Sequence, residues 1–155
     1  VSIVWEEVMR VTIPGQPVPK GRPRFQMRRG KPRVYTDGKT LAFERLVALC
    51  VSSSTATRGA PRPMCGELGP VRLDIQAIFQ RPIGMNRLKD SGDLLPHVKR
   101  PDLDNVVKSV MDGIGKAGDL IFRDDGQVQC IRAESWYAEK GQGPRTELVI
   151  YRRAR

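Results

Sequence analysis

Leu103, Val106, Val107, Val110, Met111, Ile114 and Ala117 recur at steps of three and four, which puts them on one stripe of an α-helix. Asp102, after Pro101, stands where a helix N-cap belongs, and Gly118 stands where a helix terminator belongs. A stripe this apolar must be buried, and the chain offers strands to bury it. Val71, Leu73, Ile75, Ala77 and Phe79 alternate with Arg72, Asp74, Gln76, Ile78 and Gln80, the period of a half-buried strand. Further strand patterns run over Val8 to Ile13, Gln127 to about Tyr137, and Thr146 to Tyr151. A second helix, capped by Thr36 or Asp37, is expected through Leu41, Leu46, Leu49 and Cys50, ending in the Ser/Thr/Gly/Pro-rich stretch from Ser52 to Pro63. Strands on both sides of helices imply a mixed β-sheet packed with helices. The expected class is α+β, as a single small domain over residues 1–155, with no repeat and no linker dividing it.

Charge narrows the partners. Lys and Arg number 27 against 17 Asp and Glu, a formal net charge of +10, so the chain repels itself and attracts a polyanion. No stretch approaches the roughly 18 apolar residues that span a bilayer, and no segment reads as a basic surface helix. Val1 to Arg10 lacks the apolar run of a secretory signal. Nucleic acid inside the cell is the partner these observations favour. Cys50, Cys65 and Cys130 are widely spaced and form no CxxC pair, and His97, the single histidine, completes no zinc pattern with them. Cys50 and Cys130 fall in apolar patterns and are expected in the core.

The cations concentrate. Lys20, Arg22, Arg24, Arg28, Arg29, Lys31 and Arg33 lie in a Pro- and Gly-punctuated segment, residues 14–35, expected to be a stiff basic loop that contacts phosphates. Arg81, Arg87, Lys89, Lys99 and Arg100 form a second basic group in the long loop 81–100, which leads into the Asp102 helix and could close over a nucleic acid.

Against this basic background stand a few acids whose spacing carries chemistry. Asp104, Lys108 and Asp112, four apart, share the polar face opposite the apolar stripe, and Asp102 can turn toward the same end. Two carboxylates within one helical turn begin a site for a hard cation, because Mg²⁺ takes oxygen ligands and is usually held by one or two carboxylates with water and substrate phosphate. A third acid can come from Asp124-Asp125, if the chain reverses to lie beside the helix start. Taken singly, the same residues are ordinary: a cap, an i,i+4 ion pair, and an Asp-Gly turn. Two weaker readings therefore stand beside a metal-dependent nuclease: a less selective Mg²⁺ nuclease for flaps or RNA, and a non-catalytic DNA-binding module.

The run Arg100-Pro101-Asp102-Leu103-Asp104-Asn105-Val106-Val107-Lys108, followed by Asp124-Asp125-Gly126-Gln127-Val128, resembles the RusA-type Holliday-junction resolvases of bacteria and their phages. Pro14-Gly15 with Lys20-Gly21-Arg22-Pro23-Arg24-Phe25, and Tyr35-Thr36 with Lys39-Thr40, extend the resemblance over roughly Ile13 to Tyr151. It implies a RusA-like homodimer that resolves four-way DNA junctions by paired, symmetric nicks with Mg²⁺, Mn²⁺ serving in its place, in cytoplasmic recombination and repair. It assigns Asp102, Asp104 and Asp125 to the metal, Asp124 to an adjacent acid of less defined role, and Lys108 to the essential lysine. Lys20, Arg22, Arg24, Arg28, Arg29, Lys99 and Arg100 are the expected DNA contacts. The chain departs from the pattern at Val98, where relatives often carry a hydroxyl, and at Gly113 and Gly115, which are expected to loosen the rear of the helix.

Overall fold

The structure, a computed structural model, describes residues 2–155; residue 1, where the expected domain begins, lies outside them. Strand β1 (Trp5–Pro14) is followed by a short hairpin of β2 (Arg24–Arg28) and β3 (Lys31–Tyr35), then helix α1 (Gly38–Ser52) and strand β4 (Val71–Phe79). The short β5 (Leu95–Pro96), helix α2 (Leu103–Lys116), β6 (Val128–Tyr137) and β7 (Arg145–Arg153) complete the order. Five strands form one mixed sheet in the order β1-β7-β4-β6-β5, and β2 pairs only with β3. The α+β class read from the periodicities is what the chain adopts.

Within the sheet β4 and β6 are parallel, from Val71 opposite Val128 to Phe79 opposite Tyr137, while the other pairs are antiparallel. Parallel neighbours need a crossover, and α2 supplies it. Val71, Leu73, Ile75, Ala77 and Phe79 pack beneath Val106, Val110 and Ile114, all nearly inaccessible to solvent. Asp37 caps α1, accepting from the Lys39 amide at 3.1 Å. Gly118, at φ +71°, follows the end of α2, where a left-handed residue turns the chain off the helix.

Helix α1 is rotated from its expected face. Thr40, Phe43, Glu44, Val47 and Val51 are buried, whereas Leu49 is 62% exposed. The reason lies on α2: a Cβ at Gly113 would sit 2.6 Å from Val47 Cβ and 3.0 Å from the Glu44 carbonyl oxygen. Gly113 does not loosen the helix as expected; its missing side chain lets α1 and α2 touch. Cys50, half-buried, packs against the core and Cys130 is half-buried on β6, while Cys65 is the buried one, its thiol pushed up to about 11 by burial. Gly113→Ala is expected to cost about 1–3 kcal/mol through overpacking. Gly115→Ala, where an added Cβ meets nothing within 4 Å, is expected to add up to ~1 kcal/mol of helix stability. Chemical denaturation of the two variants checks both signs.

Candidate functional site

Asp102 occupies the N-cap position of α2 in an extended backbone conformation, yet its side chain makes no capping hydrogen bond. The expectation that it caps the helix is met by the backbone alone: the Asp102 carbonyl accepts from the Asn105 and Val106 amides. The carboxylate is thereby left exposed, beside an exposed Asp104 in the first turn. Lys108 stands one turn further along the same face, its Nζ 3.8 Å from Asp104 Oδ2, a long and solvated pair that leaves the ammonium available.

Asp124 and Asp125 divide their roles. Asp124 Oδ1 accepts from the Gly126 amide at 2.6 Å, and the Gln127 side chain bonds back to the Asp124 amide, closing a capping box around a 3-10 turn. Gln127 also donates to the carbonyls of Gly66 and Gly69, which fixes this turn to the preceding loop. Asp125 is exposed, and no hydrogen bond or ion pair occupies its carboxylate among the described residues.

The structure does not bring Asp125 back to the helix start. With Asp112, Asp119 and Asp124 it lines a shallow depression of about 260 Å³ whose α2 residues are Met111, Asp112 and Gly115. Met111 is already seven residues, about 10 Å of helix axis, beyond Asp104. Among the described residues no three His, Cys, Asp or Glu side chains are grouped closely enough to hold a metal ion. The crossover explains this. A helix joining two parallel strands starts near the C-terminal end of one and delivers the chain to the N-terminal end of the next. The linker after α2 accordingly bonds through Leu120 and Ile121 to Met64 and Cys65, and Arg152, opposite Val71 at the start of β4, donates to Met64. The first turn of α2 instead bonds to Lys20 through the Asn105 carbonyl, and Ser109 Oγ donates to the Val18 carbonyl. Asp104, Lys108, Asp112 and Gly115, all exposed, still lie along the polar face of α2, so the two acidic groups stand at opposite ends of that face.

The cations sort into two kinds. Lys20, an expected DNA contact, folds inward: its Nζ lies 2.6 Å from both Glu44 Oε1 and Asp112 Oδ2. Burial pulls its ammonium down, but the bonds to Asp112 and Glu44 outweigh that and hold it above its ordinary value. Glu44, 1% exposed, needs a cation, and Lys116 adds a second at 3.4 Å. Arg81, placed with the second basic group, is likewise buried and donates to the carbonyls of Ala138, Met85, Ser91 and Asp93. With Lys140 Nζ, which donates to the Arg87 and Asp90 carbonyls, it pins the loop 81–93 in place. That loop is clasped, in contrast to the closing flap its length suggested. Arg22, Arg24, Arg28, Arg29, Lys31, Arg33, Lys99 and Arg100 are exposed, and none has an acidic partner among the described residues.

His97 anchors the approach to Asp102. It is 9% exposed, stacks on Phe79 with centroids 4.1 Å apart, meets the edge of Tyr137 at 4.9 Å, and has Nδ1 2.8 Å from Ser135 Oγ. Burial lowers its pKa, with backbone hydrogen bonds of His97 and Arg100 pulling the other way.

Sequence reasoning missed two features. Glu44 gave no sign, because an acid within an apolar helix face reads as an exposed position. The hairpin from Arg24 to Tyr35 lies within the segment 14–35 expected to be a loop, although Phe25 and Met27 alternate with polar residues. Its turn residues Arg29 and Gly30 both have positive φ, 52° and 71°, the backbone of a two-residue primed turn in which Asn-Gly is usual and Arg is not.

The family model described as endodeoxyribonuclease RusA matches residues 14–151 of this chain. The chain is also similar to the uncharacterized protein YqaN of Bacillus subtilis (strain 168), 32% identical over 149 residues that cover 93% of this chain and 96% of that protein.

Two measurements test these assignments. Lys20→Met is expected to destabilise the fold by about 1–3 kcal/mol, because Glu44 loses its nearer cation, and to leave the salt dependence of DNA binding unchanged. A His97 held neutral by burial stabilises the fold above its unfolded value near 6.5, and that stability is lost as pH falls through the lower folded value. Melting temperature should therefore decline as pH drops below about 6.5, and His97→Phe should flatten that part of the curve.

Proposed function

Because the chain belongs to the RusA endodeoxyribonuclease family, we propose that it is a Mg²⁺-dependent resolvase that nicks four-way DNA junctions symmetrically as a homodimer, in recombination and repair. The observation that carries this reading is the pair of exposed, uncapped carboxylates, Asp102 and Asp104, at the mouth of α2 with Lys108 one turn behind them. A mere cap would spend Asp102 on a backbone amide; its side chain makes no such bond, which leaves the carboxylate available to a cation.

The donor set fits a hard divalent cation. Asp102 and Asp104 supply oxygen only, and two carboxylates with water and a substrate phosphate are the usual protein share of a Mg²⁺ site. When bound, the ion would neutralise charge on the phosphate oxygens and favour attack by water at phosphorus. Lys108 places its ammonium on the same face, where it holds the scissile phosphate and stabilises the negative charge that grows on it during attack. Lys99 and Arg100, exposed just before Asp102, draw the DNA backbone toward this end of the helix. Asp124, occupied in its capping box, shapes the second acidic group and leaves Asp125 as its available ligand.

Four-way junction, flap, duplex and RNA substrates incubated with protein and Mg²⁺ test the assignment. Junction cleavage in symmetry-related pairs, abolished by EDTA, is expected; equal rates on all four would make the chain an unselective nuclease, and binding without nicks at any Mg²⁺ concentration a DNA-binding module. Asp104→Asn should bind junctions normally and not cut them, and Lys108→Met should slow cutting about 10²- to 10³-fold. Mixing Asp104→Asn with Asp125→Asn subunits locates the third acid. Nicking is restored in the mixture if Asp125 acts in the partner's site, because one mixed site then keeps both acids, and stays absent if it acts in its own.

A further inference from the structure

The hairpin of β2 and β3 stands apart from the main sheet, and all ten strand residues are exposed. Its register sorts them by chemistry. Phe25 faces Val34 and Met27 faces Pro32, and since residues two apart on a strand share a side, these four make one continuous apolar face. Arg24, Gln26 and Arg28 with Tyr35, Arg33 and Lys31 make the opposite face, which carries four cations; Arg29 adds a fifth at the tip. Phe25 is 78% exposed, Met27 68% and Val34 62%.

An isolated two-stranded hairpin is marginal in water, and one with a bare apolar face needs an occupant. Four side chains are far fewer than the roughly 20–30 residues a side of a standard protein interface. Two such arms, each with five cations and no acid, also repel one another. A polyanion meets no such barrier. Nucleic acid alone offers both surfaces the hairpin needs: phosphates for the basic face and, where stacking is broken, base faces for the apolar one. A duplex hides its bases; a branch point is where continuous stacking ends.

We infer that this hairpin is a branch-point probe, its Arg/Lys face following the phosphates of one arm while Phe25 and Met27 pack against bases unstacked at the centre of the junction. This rests on the DNA-junction reading above and adds to it a means of telling branched from linear DNA. Stacking on an aromatic side chain tolerates any base, so the probe selects structure, not sequence. Phosphate contacts hold the arm in register without reading bases.

The test places 2-aminopurine at the branch point of a four-way junction and, separately, in the middle of a matched duplex, with full-length protein in EDTA so that no strand is cut. Binding of the unaltered protein is expected to raise fluorescence at the branch and not in the duplex. Phe25→Ala/Met27→Ala should lose that rise and lose roughly 5- to 150-fold in preference for junction over duplex. Its log-log salt slope should be unchanged, and Phe25→Trp should restore the signal. Arg28→Ala/Lys31→Ala should do the converse, lowering the slope by about 1.8 while the branch signal at saturation persists. Junction binding with no fluorescence change, or an altered oligomeric state in the Phe25/Met27 variant with junction preference intact, overturns the proposal and leaves the nuclease reading standing. Failure of the unaltered protein to bind any DNA overturns both.

Discussion

Strands β4 and β6 lie side by side and run the same way, so no turn can join them and the chain must travel back over the sheet. Helix α2 is that return path, and its apolar stripe is the cover the sheet requires. Everything chemical about the molecule is positioned by this one connection. The first turn of α2 opens near the C-terminal ends of β4 and β6 with two free carboxylates, while the residues that follow the helix return to the opposite end and enter β6 through the turn holding Asp124 and Asp125.

The same helix organises the basic N-terminal segment. Val18 and Lys20 lie against α2 through Ser109 and Asn105, and the ammonium of Lys20 reaches between Asp112 on α2 and the buried Glu44 on α1. A buried carboxylate is costly unless paired, so this contact ties three separate pieces of chain together: the segment before the hairpin, α1 and α2. Gly113 allows the approach that puts Glu44 within reach. The arm that projects from the body therefore starts from a firmly held root beside the acidic end of α2, which sets a DNA-attracting element next to the carboxylates that would hold a metal.

Charge is distributed by the same logic. Cations that stabilise the fold, Lys20, Arg81 and Lys140, are turned inward onto carboxylates and carbonyls. Of the cations without acidic partners among the described residues, Arg24, Arg28, Arg29, Lys31 and Arg33 sit together on the hairpin and Lys99 and Arg100 just before Asp102, while others such as Lys39, Arg45, Arg58 and Arg132 lie elsewhere. Part of the net charge of +10 is thus concentrated in two free groups, one on the hairpin and one leading into the pair of aspartates at the start of α2.

Much of this was written in local pattern. The period-two run from Val71, the stripe from Leu103, the Gly118 terminator and the acids at 102, 104 and 125 are set by neighbours along the chain, because strand alternation, helix periodicity and capping act over a few residues. The α+β class and the polyanion-seeking surface followed from the same short-range signals and from composition. Three things were decided only in three dimensions. Which face of α1 is buried depended on a glycine about seventy residues away; whether Lys20 meets DNA or protein depended on an acid hidden in that face; and whether Asp125 joins Asp102 and Asp104 depended on the direction of a strand. Pairing direction, helix contact and burial of a charge are relations between distant segments, and each is settled by which arrangement hides the apolar surface while leaving no buried charge alone.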